Sequence, residues 1–586
     1  MAEESYWTRI RTRHTTTRRQ ALGVFATGLG GAFLAACSGS NNNKSGNKSS
    51  NPTSAAATVA APAAPASPRP TNAPQAPAGP ITTRAATPAA EQPVRGGTLR
   101  LGTFLSVLGI DPHIEVSIGL VWDAKMYSYL GGFANVTQKF NPIFADSIEQ
   151  PSPTEFTFKL KQGVKFHNLD PVNGREQIAD DVKYSHERFR DLPQAQNNDF
   201  FKGVVDKLDV IDKYTYKVTT KFPYAESLSE LGGIQTAIVP HEAVEKFKDL
   251  STNAIGAGPY ILDQYSKGEK TVLKRNPDYF NKDVPYLDVM STITILDTNT
   301  LIQAYKSDQL DINGAILTKL DFEDLKKNDK LVNTAYPALY YGSLGVNASV
   351  APYSDKRVRQ ALWMGIDRQQ FIDKIGQGDG VLQGILSNGL SFWVLSQAEL
   401  KPYLTPDVAK AKALLAAAGF PNGFDMTIET SGSLQIYIDY ADILVSELKK
   451  LGINAKLNLS DLPSYLSDKL FKGNFNATVF THNPYETPKI PIGFYYKNGL
   501  GSGSWWHYDN EDISKQIDAE VQELDLNKRL QMVKDVQKAL LDDAAPLINF
   551  ISPVSYDSYN KRVGGYDVTQ RGWQNFRYSE FLKPNA

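Results

Sequence analysis

Apolar and polar positions alternate in short runs from about residue 95 onward, broken by runs of helical period. Glu155–Leu160 places Phe156, Phe158 and Leu160 on one face, which predicts a strand. Tyr214, Tyr216 and Val218 alternate after Asp212-Lys213, so Leu208–Lys217 reads as a hairpin. Tyr260–Tyr265 and Lys270–Arg275 form another, turned at Lys267-Gly268-Glu269. Asn276-Pro277-Asp278 ends the second strand, because proline donates no ladder hydrogen bond. Arg95–Gly102 predicts a strand after a glycine entry, and Ala545–Val554 a strand-like return near the end.

Helical stripes lie between these runs. Val182, His186 and Phe189 share one side of Ala179–Phe189. Ser354-Asp355 caps a helix holding Val358, Ala361 and Leu362, and Asp367 caps the next. Thr405-Pro406 supplies a cap followed by proline, ahead of Val408, Ala411, Leu414, Leu415 and Ala418, with Gly419 as the stop. Tyr440, Ile443, Leu444, Leu448 and Leu451 make a stripe ended by Gly452. That helix lies between Phe424–Thr430 and an alternating run at Ile453, Ala455, Leu457 and Leu459. Strand, helix and strand predict a parallel pair with a right-handed crossover. Two further stripes follow, at Ile513, Ile517, Val521 and Leu524, and at Leu530, Val533, Val536 and Leu540.

The N-terminus has a different pattern. A polar head with arginines at 9, 11, 13, 18 and 19 precedes a small, apolar Ala21–Ala36. That run is short and glycine-rich for a membrane span, and the order is that of an export signal. Thr17-Arg18-Arg19-Gln20-Ala21-Leu22 is similar to a twin-arginine motif, and Leu34-Ala35-Ala36-Cys37 to a lipobox. These imply residues 1–36 as a leader and Cys37 as a lipidated first residue, the membrane anchor. Residues 37–93 are Asn/Ser- and then Ala/Pro-rich, almost without large apolar side chains, and are expected to form a disordered stalk.

Composition narrows the function. A formal charge of −1 lacks the basic excess of a nucleic-acid surface, so no nucleic-acid partner is expected. One cysteine rules out an internal disulfide and multi-cysteine metal sites. Serine-nucleophile elbows and phosphate loops are missing. His241-Glu242 starts like a zinc helix without its second histidine, and Gly376, Gly378 and Gly380 lack a dinucleotide-binding context. His482 and His507 are the best metal candidates, yet each reads as a lone histidine in an aromatic loop, placed for packing or hydrogen bonding. No metal, cofactor or catalytic residue is expected.

Four motifs carry a resemblance. They are Gly96-Gly97-Thr98-Leu99-Arg100 with Asp111-Pro112-His113; Gly163–His167 with Asp180–Phe189; Ile255–Phe280, which reads IGAGPYILDQYSKGEKTVLKRNPDYF; and Ser354–Ile372. Together they resemble the family 5 extracytoplasmic solute-binding proteins of bacterial ABC importers, the peptide/nickel/opine-type receptors. The segment after His167, residues 168–177, is longer than the family's short acidic-glycine turn. Asp111-Pro112-His113 reads as a structural corner. The resemblance implies an α/β, two-lobed, periplasmic-binding-protein-like fold of type II, in the large class with an extra subdomain. It implies a first lobe of about 94–338 plus 546–586 (extra subdomain 133–251) and a second of 339–545, with Tyr340–Asn347 crossing between them. It also implies a monomer that binds a solute between its lobes and hands it to ABC permease subunits.

Clefts of this kind use aromatic platforms and a few fixed polar groups. The candidate ligand-binding residues are Phe392, Trp393, Asn483, Tyr485, Trp505, Trp506 and His507, all in loops of the second lobe. The family's peptide receptors place an Asp at the position of Asn483, to pair with the ligand's amino group. An amide brings no charge to a buried cation, although Glu486 is close in sequence. That disfavours a free-amine peptide, whereas a carbohydrate or another neutral solute would suit the tryptophans and Asn483; the solute class stays open between peptide, oligosaccharide and similar molecules. The rival readings are a secreted hydrolase with acids hidden in the cleft, and a sensory receptor of the same fold.

Overall fold

The computed structural model describes residues 92–115, 124–134, 139–195, 197–482, 487–497, 505–566 and 581–583. The leader, Cys37 and almost all of the stalk lie outside them.

Three sheets organise the fold. In the first, Thr98–Thr103 runs parallel to Val289–Thr294, which pairs antiparallel with Lys270–Arg275, itself hairpinned to Tyr260–Ser266. Gly268 makes the turn at φ +75°, and its N–H donates to the Val107 carbonyl at 2.9 Å. The G-x-G-P-Y motif is there for close approach. A Cβ on Gly256 would lie 2.3 Å from the Met126 carbonyl oxygen, and one on Gly258 2.5 Å from the Met126 carbonyl carbon.

An outer layer holds the order Ala145–Ser152, Glu155–Leu160, Thr215–Thr220, Val205–Asp212, all antiparallel. Phe156, Phe158 and Leu160 are buried, as their alternation predicts. Helix Ala179–Asp191 covers this sheet and buries Val182, His186 and Phe189. Asp111-Pro112-His113 is a buried corner under the same helix. Arg188 donates to both carboxylate oxygens of Asp111 (3.0 and 2.6 Å) and to His113 Nδ1 (2.7 Å). A guanidinium can only donate, so His113 is neutral at Nδ1, and its Nε2–H donates to the Ala237 carbonyl at 2.9 Å.

The second lobe's sheet has the order Asn454–Ser460, Asp425–Ser431, Ala477–His482, Tyr341–Val346, Leu547–Asn549. The expected parallel pair is present, with Asp425–Ser431 between Asn454–Ser460 and Ala477–His482. Only Tyr341–Val346 runs the other way.

Several details differ from the sequence reading. Tyr340–Asn347 does not cross between lobes; Tyr341–Val346 is an interior, wholly buried strand of the second sheet. The crossing lies just before it. There Leu331–Pro337 pairs with Val554–Asn560, and Ala338 N–H donates to the Pro553 carbonyl at 2.8 Å. Leu547–Asn549 belongs to the second sheet, so the return crossing comes several residues after position 546. Asp407, rather than Thr405, caps helix Val408–Ala417, because its carboxylate reaches the Lys410 N–H. An unforeseen helix, Gln397–Leu404, starts at a capping box of Ser396 and Glu399.

Candidate functional site

Four of the five strands in the second sheet point the same way, so Ser431, Ser460, His482 and Asn549 end on one edge. Tyr341 opposes His482, so the crossing from the first lobe enters at this edge too. Ligands of open α/β sheets bind outside the carboxyl ends of strands, and here that edge lies at the passage between lobes.

The edge is a rigid polar platform. The His482 ring stacks on Tyr341 with centroids 4.2 Å apart. Ser343 donates to Asn549 Oδ1 at 2.6 Å and so accepts from His482 Nε2 at 3.0 Å. Asn549 in turn donates to the carbonyls of Gly384 and Ile385. Burial drives the His482 pKa down to about 3, so the ring is a neutral structural group. Asn483 follows His482 in sequence, and Asn483, Tyr485 and Glu486 lie outside the described residues.

On the same side of the second lobe is a seam with the outer layer. A cavity of about 180 Å³ opens there, between Phe156, Tyr224 and Ser227 on one wall and Trp393, Thr487 and Glu523 on the other. Its floor is charged. Arg529 donates from Nη2 to Glu226 Oε1 at 2.7 Å and from Nε to Glu520 Oε2 at 2.9 Å, and all three side chains are buried. Burial works against the charge on Arg529, but Glu520 and Glu226 outweigh it and raise the guanidinium's pKa. Burial likewise pushes the Glu520 carboxyl up, against the pull of Arg529. Beside this triad, Lys489 donates to Glu230 at 2.5 Å, and Thr487 Oγ1 donates to Glu226 Oε2 at 3.0 Å.

The structure divides the expected aromatic set. Phe392 is half-buried, edge-on to Trp393 at 5.3 Å. Trp393 lines the seam cavity but keeps only 2% of its surface, and Arg529 covers its ring at 5.0 Å from the centroid. Trp505, Trp506 and His507 sit at the opposite end of the sheet. The Trp506 carbonyl accepts from Ala348, just past Val346, where the register pairs Val346 with Ala477. Ala477 to His482 is one strand length, roughly 17 Å at about 3.3 Å per residue. Trp506 is also fully buried, with its ring under Gly345. Trp505 packs on Phe471 at 5.1 Å, and His507 is exposed beside the Gly473 carbonyl at 3.4 Å. Sequence reasoning missed Arg529, Glu226, Glu520 and Lys489. They come from three separate stretches of chain, and each reads locally as a solvated helix charge.

Two α/β lobes joined by adjacent crossing segments, with strand ends facing the passage, define a periplasmic-binding-protein fold of type II. The chain belongs to the bacterial extracellular solute-binding proteins, family 5, whose middle-region sequence model matches residues 139–502. It is 25% identical over 532 residues to di/tripeptide-binding protein 2 of Pseudomonas aeruginosa, covering 82% of this chain and 94% of that one. Among solved structures it is similar to the ABC transporter-associated periplasmic binding protein DppA of Helicobacter pylori in complex with peptide STSA. That likeness has a TM-score of 0.70 and 23% identity, and covers 84% of this chain and 99% of that one. It is also similar to AgaA of A. tumefaciens R10 in complex with agropinic acid, with a TM-score of 0.68 and 25% identity over 84% and 99% of the two chains. The chain is an extracytoplasmic substrate-binding receptor of an ABC importer.

Proposed function

We propose that the solute is a short peptide, held where the carboxyl ends of the second lobe's strands face the first lobe. The observation that carries this reading is the His482–Ser343–Asn549 platform at the inter-lobe passage, which Asn483 follows directly in sequence. Asn483, Tyr485 and Phe392 are the ligand contacts of this reading, with Trp393 backing them. Support for the peptide comes from the di/tripeptide-binding relative, which the chain matches over 94% of its length. Binding is stoichiometric and without turnover, and the filled receptor docks as a monomer on permease subunits. Residues 1–36 act as a twin-arginine-like leader, and Cys37 carries the lipid that tethers the body through the stalk of residues 38–93. The leader's basic head, the apolar run and the small residues before Cys37 support this.

Calorimetric titration of the body, from residue 94 onward, with di- and tripeptides, opines and oligosaccharides tests the ligand class. Saturable binding at one site by peptides is the expected result. Binding by the opines or sugars alone would overturn the peptide assignment. Product formation from any of them would overturn the receptor assignment.

A further inference from the structure

The charges at the seam are placed as a fastening. Glu226 and Glu230 belong to the segment after Thr215–Thr220, which is tied to the outer layer through Phe200 and Tyr224, 5.6 Å apart. Their partners Arg529, Thr487 and Lys489 all belong to the second lobe. A backbone bond crosses alongside, from Ala225 N–H to the Val521 carbonyl at 2.8 Å. Among the described residues, these contacts join the outer layer to the second lobe.

We propose that Glu226–Arg529 and Glu230–Lys489 form a charged latch, which holds the outer layer against the second lobe and sets the population of the closed receptor. Its design allows release. Arg529 is shared, and Glu520 holds its Nε from within the second lobe on helix Glu511–Gln522, while Glu226 takes Nη2 from across the seam. When the seam parts, Arg529 keeps one carboxylate and its place over Trp393. The ring is itself pinned, because Gln537 donates to the Trp393 carbonyl at 2.9 Å. Opening thus hydrates Glu226 without leaving a bare buried cation, the expensive outcome for a broken buried pair. Closure is then a population shift set by these two pairs.

The latch is tested without any ligand, so its failure is separable from failure of the peptide reading. Fluorophores on Ile211→Cys and Lys412→Cys, in a Cys37→Ser background, report the distance between the outer layer and the second lobe. Glu226→Gln combined with Lys489→Glu is expected to lower the closed-to-open ratio at least tenfold, about 1.4 kcal/mol. In a separate background, Glu230→Lys added to Lys489→Glu reverses the pair and is expected to return the ratio towards the parent value. A purely structural role would give no such rescue. An unchanged distance distribution in Glu226→Gln/Lys489→Glu, with cooperative unfolding intact, overturns the latch. So does failure of the reversed pair to recover closure.

Discussion

The guanidinium of Arg529 covers the ring of Trp393, 5.0 Å from its centroid. A ring that sequence reading offers to a solute is thus already holding a protein cation, and the contact is worth about 0.5–2 kcal/mol depending on desolvation. Its neighbour Phe392, half-buried, is the ring left for the ligand in the proposed site.

The division of the aromatic set has a direct consequence for affinity. Trp505→Ala is expected to leave the dissociation constant for a bound dipeptide within about twofold, because Trp505 packs on Phe471 at the far end of the sheet. Asn483→Ala is expected to weaken the same peptide about tenfold or more, the loss of a hydrogen bond worth about 1.5 kcal/mol. Calorimetry on both variants checks the pair, and the reverse ranking would move the site to the other edge.

Gly345 has no room for a side chain. A Cβ there would lie 2.0 Å from Trp506 Cζ3, inside a fully buried strand. Gly345→Ala is expected to cost about 1–3 kcal/mol by overpacking. Adding Trp506→Phe removes the clashing ring, so the double variant should be more stable than the sum of the singles predicts, by about 1 kcal/mol. Urea denaturation of the four proteins reads the coupling.

Arg188 is the only donor to Asp111 that carries charge, among the hydrogen bonds of the described residues. Burial pushes the Asp111 carboxyl up, yet the Arg188 hydrogen bond and charge outweigh it and leave the pKa below the ordinary value. Arg188→Met strands a buried carboxylate and is expected to cost about 3–5 kcal/mol. Asp111→Asn in the same chain should recover part of that loss, as measured by the shift in denaturation midpoint.

Buried histidines set the acid limb of stability. Desolvation lowers the pKa of His113 and His167 to about 4, and of His186 and His482 to about 3. Each is neutral when folded but takes up a proton near 6.5 when unfolded, so the unfolded state binds more protons between those values. Their stabilisation is complete above pH 6.5 and is lost progressively as pH falls towards 4 and 3. Asp518 works the other way. Burial raises its carboxyl to about 6, and its contribution, full below about pH 4, is lost as pH rises towards 6. Burial also raises the carboxyls of Glu230, Asp311 and Glu520, which act in the same direction as Asp518, so the histidine contribution is read by difference: His482→Asn should make the stability slope between pH 6.5 and 4 less positive by about one proton. Denaturation midpoints across that range give the slope.

Strand and helix content was largely legible because it rests on local periodicity. Lys270–Arg275 has the expected bounds, Gly452 stops its helix at φ +86°, and Asp355 caps where predicted. The crossing point was misplaced for a physical reason. Tyr341–Val346 is apolar on both faces, which is equally the signature of a buried interior strand and of a covered connector. The aromatic candidates were judged by residue type and loop position. Neither reveals that one six-residue strand separates Trp506 from His482.

Local chain chemistry thus settled the family and most of the strands and helices, since each depends on residues near one another in sequence. Which side chains meet across the seam was settled by folding alone. Glu226 and Arg529 are 303 positions apart, and nothing in either neighbourhood signals a buried pair, because a charge on a helix face reads the same whether it meets water or a carboxylate.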